Sequence, residues 1–196
     1  MQAAARRRSR QRQSANLPPM GEPWSGRSFE FNFPIERFPV ILDRIRGTPH
    51  RMEAKLRGVD AATLARRPAG PTAGGAWSLQ EHVGHFKDLD LLHLKRLGEI
   101  EATAPSLSPH DMKNTATWEA DYNARPYGEV WAAFLASRQT LVGRLEGWDP
   151  AELGRSAMHH RIGKPMRVVD LAFFVAEHDD YYLAEMHAVL AGWGLR

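Results

Sequence analysis

The 196-residue chain contains no cysteine, and this absence excludes several kinds of site at once. A disulfide framework, a thiolate metal site and a cysteine nucleophile all require that side chain. Long apolar runs are also missing, because no stretch approaches the roughly 18 continuous apolar residues that a transmembrane helix needs. Glycine-rich phosphate loops, nucleophile elbows and His-Glu-x-x-His motifs are absent as well. These absences indicate a cytoplasmic protein with no membrane partner.

Acidic residues are missing from the first 21 positions, where five arginines stand. Those arginines account for more than the whole net charge of +3, so the remainder of the chain is mildly acidic. Because the body has no broad basic face, a nucleic-acid partner is not expected. Residues 1–28, rich in Arg, Gln and Ser, predict a disordered basic tail before one domain, residues 29–196. An organellar transit peptide and a nucleic-acid-binding arm are the alternatives for this tail.

Apolar residues recur at helical spacing in four long segments, and this periodicity predicts an all-α fold. The four predicted helices cover about residues 34–58, 78–103, 127–148 and 166–190. Without a convincing alternating strand pattern, four amphipathic helices indicate a four-helix bundle. Residues 104–125 are expected to form its long crossover loop, and residues 156–165 a shorter loop.

Two local signals refine these helices. Gly47-Thr48-Pro49 predicts a break or kink in the first helix, because proline removes a backbone donor. Ser78 and Glu81 have the spacing of a capping box and predict the start of the second helix.

The last predicted helix carries a histidine and a tyrosine on an otherwise apolar stripe. His178 and Tyr182 recur at helical spacing with Leu171, Phe174 and Val175. Leaving a buried imidazole unpaired costs about 1–3 kcal/mol, so His178 needs a partner. Periodicity alone leaves three kinds of partner open: a backbone carbonyl, a carboxylate on another helix, or a metal ion.

Motifs along the chain resemble a known family. Trp77-Ser78-x-x-Glu81-x-x-x-His85-Phe86-x-Asp88 is similar to the Trp-Ser…His signature of the DinB/YfiT-like metalloenzyme superfamily. The resemblance covers roughly residues 33–190 and continues through Asn114, Thr117, Ala120, Asp121, Asn123, residues 161–167 and residues 171–180. It implies a DinB-like four-helix bundle with a divalent metal ion near one end. In that family, one histidine ligand comes from the second helix and two, four residues apart, come from the last.

Carried over to this chain, the resemblance assigns the metal site to His85, His178 and Tyr182. His85 matches the first ligand and His178 the second, whereas Tyr182 stands where the family usually has its third histidine. Tyr182 would bind as a phenolate, which requires the metal to depress a pKa of about 10. Glu185 or Glu81 could instead supply a carboxylate oxygen, although the capping box is the better interpretation of Glu81. Zinc, nickel and iron are the candidate ions.

Other polar residues receive structural interpretations. His82 is expected to flank the site or face solvent, and Asp179 and Asp180 to lie on the solvent side of the last helix. His159 and His160 fall in the predicted loop. Trp118 and Tyr122 are expected to pack the crossover, with a pocket mouth as the alternative.

Two functions from different classes follow from these residues. The leading hypothesis is a metal-dependent thiol transferase or hydrolase that acts on a small molecule, with a low-molecular-weight thiol as the suggested partner and a homodimer as one possible assembly. The rival is a metal-free small-molecule-binding bundle in which Tyr181 and Tyr182 replace the ligands.

Overall fold

The computed structural model describes residues 22–69 and 77–195. Six α-helices lie in these residues: α1 Phe38–Leu56, α2 Ala61–Ala65, α3 Leu79–Glu101, α4 Thr115–Glu119, α5 Tyr127–Glu146 and α6 Val168–Gly192. Helix α3 packs against α5 and α6, and α1 packs against the same two, so the four long helices form a closed bundle. The predicted all-α four-helix bundle is confirmed. None of these helices is long and apolar enough to cross a membrane.

Ser78 and Glu81 form the predicted capping box at the start of α3. The Ser78 hydroxyl accepts a hydrogen bond from the Glu81 N–H at 3.0 Å, and the Glu81 carboxylate accepts one from the Ser78 N–H at 2.8 Å. Arg67 adds an ion pair of 2.5 Å to the same carboxylate. These contacts fix the first turns of α3, where His82 and His85 are buried.

Helix α1 passes through Pro49 without the predicted break. Proline has no N–H, so it cannot donate to the carbonyl four residues earlier, which belongs to Ile45. Arg138 of α5 supplies a donor instead, with its Nη1 3.3 Å from that oxygen. A side chain from another helix thus supplies the hydrogen bond that proline cannot make. The helix continues, and the prediction of a break is wrong.

A buried charge network joins all four long helices. Arg138 of α5 forms ion pairs with Asp90 of α3, at 2.9 Å, and with Asp179 of α6. Thr48 of α1 donates to Asp179 at 2.6 Å. The prediction that Asp179 faces solvent is therefore wrong, because that carboxylate is 1% exposed. Asp180 does lie near the surface, where two arginines pair with it.

Residues 156–165, predicted as a loop, form a hairpin instead. Strand β1, Ser156–His159, pairs antiparallel with β2, Lys164–Arg167. Each strand has four residues, which is too few for an alternating pattern to stand out. Gly163 closes the turn with a φ of +67°, and β2 leads directly into α6. The hairpin buries His159 against Phe174, with ring centroids 5.5 Å apart.

Part of the predicted tail lies within the described residues. Residues 1–21 lie outside the described residues, but Trp24 belongs to a short 3₁₀ turn and is buried. Its ring contacts Phe174 and His178, with centroids 5.0 and 5.1 Å apart. Trp24 therefore packs on the bundle although it lies within the predicted tail. A single tryptophan amid polar residues gives no periodic signal from which to expect this contact.

The crossover between α3 and α5 is packed closely onto the bundle. It contains α4 and a 3₁₀ turn, Tyr122–Ala124. The Tyr122 ring lies so close to Gly84 that a Cβ there would stand 2.2 Å from it. Glycine at position 84 thus permits the crossover to lie against α3 beside His85.

Candidate metal site

His85 of α3 meets His178 and Tyr182 of α6 in the bundle interior. The ring centroids are 5.3 Å apart for His85 and His178, 4.8 Å for His85 and Tyr182, and 4.5 Å for His178 and Tyr182. None of the three is more than 4% exposed. The structure therefore brings together the three residues that the resemblance assigned to the metal site. Their role as ligands stays a prediction.

A chain of hydrogen bonds determines which nitrogen of His85 carries the proton. Thr117 of α4 donates its hydroxyl hydrogen to the Asp88 carboxylate at 3.0 Å. A hydroxyl has only one hydrogen, so the Thr117 oxygen must accept from the His85 Nδ1, which lies 3.2 Å away. Tyr122 donates to the other Asp88 oxygen at 2.7 Å and holds the carboxylate in place. The proton of neutral His85 is consequently on Nδ1.

The other nitrogen of His85, Nε2, therefore carries a lone pair and no proton. This atom is buried and has no hydrogen-bond partner among the described residues. Neutral imidazole nitrogen is the form that binds metal ions, and a hydrogen bond on the opposite nitrogen is the usual means of orienting it. This is the arrangement that a metal-binding histidine requires.

Burial sets the protonation of the cluster. It lowers the pKa of His85 and of His178 well below the ordinary value of 6.5, and the neighbouring imidazoles and Arg138 lower it further. Burial also raises the pKa of Tyr182 above its ordinary value, and Tyr181 and Glu185 add to that rise. At neutral pH the cluster thus consists of two neutral imidazoles and a neutral phenol.

His82, one turn before His85, flanks the site as expected, and it is buried rather than exposed to solvent. Its Nδ1 lies 2.8 Å from the Ser78 carbonyl, which can only accept, so the proton is on Nδ1. Its Nε2 has no hydrogen-bond partner. The His82 ring contacts Tyr182, with centroids 6.0 Å apart. His82 therefore forms part of the wall around Tyr182.

The remaining candidates have other surroundings. Glu81 is occupied by the capping box and Arg67, which agrees with the structural interpretation. Glu185 is buried, one turn beyond Tyr182. Tyr181 packs beneath the Arg27 guanidinium, 4.8 Å from its ring centroid. Across the described residues, no three His, Asp or Glu side chains are grouped so that they could hold a metal ion without another ligand.

A small cavity of about 80 Å³ opens beside the cluster, and His178 and Tyr182 lie in its wall. Sequence reasoning missed most of the other polar residues around it, namely Arg96, His110, His159, His160 and Arg161. Arg96 lies in α3, whereas His110 lies in the crossover and the other three lie in the hairpin, where no periodic signal marks them. The run His159-His160-Arg161 was the available indication.

A four-helix bundle with a buried His–His–Tyr cluster beside a cavity defines a bundle protein with a candidate metal centre. The chain belongs to the DinB superfamily, whose family model matches residues 44–186. Among solved structures it is similar to YfiT from Bacillus subtilis, which is described as a probable metal-dependent hydrolase with an unusual four-helix bundle topology. The two share 14% sequence identity with a TM-score of 0.71, over 87% of this chain and 95% of that one. No curated protein sequence matches the chain.

Proposed function

We propose that this chain is a metal-dependent hydrolase or transferase that acts on a small molecule, with a divalent ion held by His85 and His178. The observation that carries the proposal is the buried His85 Nε2, which has no partner in the part of the chain that the structure describes, on a ring that packs beside a second buried imidazole. The likeness to a bundle described as a probable metal-dependent hydrolase supports it.

The spacing of the two imidazoles fits a shared ion. With metal–nitrogen bonds of about 2.0–2.1 Å and tetrahedral angles, two imidazole rings on one ion have centroids about 5 Å apart. The His85 and His178 centroids are 5.3 Å apart. Tyr182 lies next to both rings and would complete or border the coordination. Imidazole suits zinc, nickel and iron alike.

A divalent ion bound there would supply Lewis-acid activation of a water or thiol nucleophile at neutral pH. The protein's own contribution is positional. Thr117 holds the His85 ring in the tautomer that presents Nε2. The Trp77 ring, with its centroid 4.5 Å from that of His85, helps exclude water. Tyr182, a neutral phenol, can donate a hydrogen bond to an oxygen that gains charge during reaction.

Transfer of a low-molecular-weight thiol is the finer form of this proposal. A free thiol has a pKa of about 8.5, whereas bulk water has one of about 15.7. A bound ion therefore has to lower the pKa of a thiol far less than that of water to produce the anion at neutral pH. Hydrolysis by the same site would need the larger lowering.

A metal-free binding bundle is the second candidate. It is favoured by Tyr182, which stands where a third nitrogen ligand would be and whose pKa burial raises rather than lowers. In that case the cavity would bind a small molecule without an ion.

Zinc titration by calorimetry separates the two candidates, using full-length protein purified without a metal-chelating tag. The metal proposal predicts one bound ion, and His85→Ala should abolish measurable binding. Tyr182→His should complete a three-nitrogen site and tighten binding roughly a hundredfold, which corresponds to about 2.8 kcal/mol. His187→Ala, an exposed histidine on the same helix, is the control and should bind as the wild type does.

The opposite result would be equally clear. If the wild-type protein binds no zinc, nickel or iron, and Tyr182→His gains no affinity, the three positions do not converge on an ion. The metal-free candidate would then replace the metal proposal.

A further inference from the structure

Basic residues predominate among the polar residues that line the cavity beside the candidate metal site. The residues that line it include two arginines and four histidines, and they include no Asp or Glu. These cationic or titratable residues are Arg96, Arg161, His110, His159, His160 and His178. A cavity wall of this composition favours an anion.

Two buried donors at this cavity lack an acceptor. The Ile162 N–H donates to His159 Nδ1 at 3.3 Å, so neutral His159 carries its proton on Nε2. That Nε2 and the Nη2 of Arg161 are both buried, and neither has a hydrogen-bond partner within residues 22–69 and 77–195. Arg161 is anchored through its other terminal nitrogen, which donates to the carbonyls of Ser25 and Arg27 at 3.1 and 3.2 Å. Because both residues line the cavity, a ligand there could accept hydrogen bonds from these two donors.

Arg96 adds a positive charge that is only weakly balanced. Its side chain is 1% exposed, and it donates to the uncharged Ser108 carbonyl at 3.0 and 2.9 Å. Burial lowers its pKa to about 10, Glu99 opposes that shift, and Arg161 adds to it. Burial, Arg96 and Arg161 together lower the pKa of His159 to about 4. The groups therefore lie close enough to repel one another.

His110 shares this environment. Burial and then Arg96 lower its pKa, Asp111 opposes that shift, and Arg161 adds to it. A bound anion would relieve the repulsion among these groups and accept the free hydrogen bonds.

We propose that this cavity binds the anionic group, a carboxylate or a phosphate, of the small molecule on which the protein acts, between Arg161 and His159 in the field of Arg96. With a volume of about 80 Å³, the cavity has room for such a group. His178 and Tyr182 line the same cavity, so the remainder of the molecule would extend beside the metal site. The anion site stands on its own residues, whereas calling its ligand a substrate rests on the proposed function.

Calorimetric titration with inorganic phosphate, and separately with propionate, tests the site in chelator-treated, full-length protein at pH 7 and low ionic strength. We expect Arg161→Gln to weaken binding of the preferred anion at least tenfold. Lys164→Gln is the matched control. It removes an exposed positive charge from the same hairpin, together with an ion pair to Glu30, and should change affinity less than twofold. The two titrants show whether the site prefers phosphate or carboxylate.

Nitrogen NMR of the wild-type histidines gives a readout that no folding defect can imitate. Phosphate or propionate should shift the His159 Nε2 signal, which is assigned by its loss in His159→Gln, and should raise the His159 pKa. The inference is overturned if neither anion moves that signal and if Arg161→Gln binds both as the wild type does.

The zinc titration in phosphate-free buffer keeps the two proposals apart. Anion binding without zinc binding would overturn the proposed metal chemistry alone. Zinc binding without anion binding would overturn the anion site alone.

Discussion

His178 and Asp179 are neighbours in α6, yet they belong to two buried polar clusters of opposite character. Asp179 shares Arg138 with Asp90, and each of these two carboxylates accepts hydrogen bonds from the guanidinium and from a hydroxyl. His178 lies beside His85, whose Nε2 lone pair is buried without a partner. The first cluster is complete within the protein, and the second is not.

The difference in hydrogen bonding indicates which cluster stabilises the fold and which is the candidate binding site. Buried polar groups are nearly always hydrogen-bonded, because an unmet one costs free energy that folding must offset elsewhere. A satisfied network such as that of Arg138 needs no ligand to explain it. The oriented lone pair of His85 is the atom that the proposed ion would bind.

The largest expected effect comes from breaking the satisfied cluster. Arg138→Met leaves two buried carboxylates without their shared cation, which should lower the free energy of unfolding by about 3–5 kcal/mol. Arg144→Met removes an arginine from the same helix whose ion pair with Glu101 is solvent-exposed, and it should cost less than about 1 kcal/mol. Urea unfolding monitored by circular dichroism measures both. Equal losses in the two variants would show that the network is not the stabilising element.

The second-largest expected effect is a loss of stability at acid pH, when the buried histidine His82 beside the His85–His178–Tyr182 cluster becomes protonated. Folding lowers the pKa of His82 from 6.5 to about 4, chiefly through burial. Between these pH values the unfolded chain binds more protons, so stability is complete above about pH 6.5 and is lost as the pH falls towards 4. His82 alone would contribute on the order of 3 kcal/mol to this loss.

His82→Asn tests that assignment, because asparagine can retain an N–H donor towards Ser78 but has no titrating group. The slope of unfolding free energy against pH should flatten between pH 6.5 and 4. His187→Asn, a change at an exposed position, should leave the slope as it is in the wild type. An unchanged slope in His82→Asn would contradict the burial argument.

The smallest effect on stability should accompany a clear effect on metal binding. Thr117→Val keeps the side-chain shape but removes the hydroxyl that orients His85. Loss of such an orienting partner typically weakens metal affinity tenfold to a hundredfold. Thr140→Val, which removes an exposed hydroxyl bonded only to its own helix, is the control for zinc titration. If Thr117→Val binds zinc as tightly as the control, the tautomer argument fails.

Much of the fold was predictable because its signals are local. The bundle and the capping box at Ser78 both depend on residues within one or two turns of each other. Features that were not predicted occur where distant residues intervene. Pro49 does not break α1 because Arg138 supplies a donor, and Trp24 joins the bundle because α6 offers it an aromatic surface.

The sequence alone determined the four amphipathic stripes and, through the resemblance, named His85, His178 and Tyr182 as one group. Helical spacing is enough to place His178 and Tyr182 on one face, since residues four apart are neighbours. Only the tertiary structure decided that His85 presents an unprotonated Nε2, because the deciding hydroxyl of Thr117 lies 32 residues away on another helix. The same holds for the anion cavity, whose donors Arg161 and His159 come from the hairpin. Protonation and charge depend on what surrounds a side chain in space, and a sequence pattern specifies only what surrounds it along the chain.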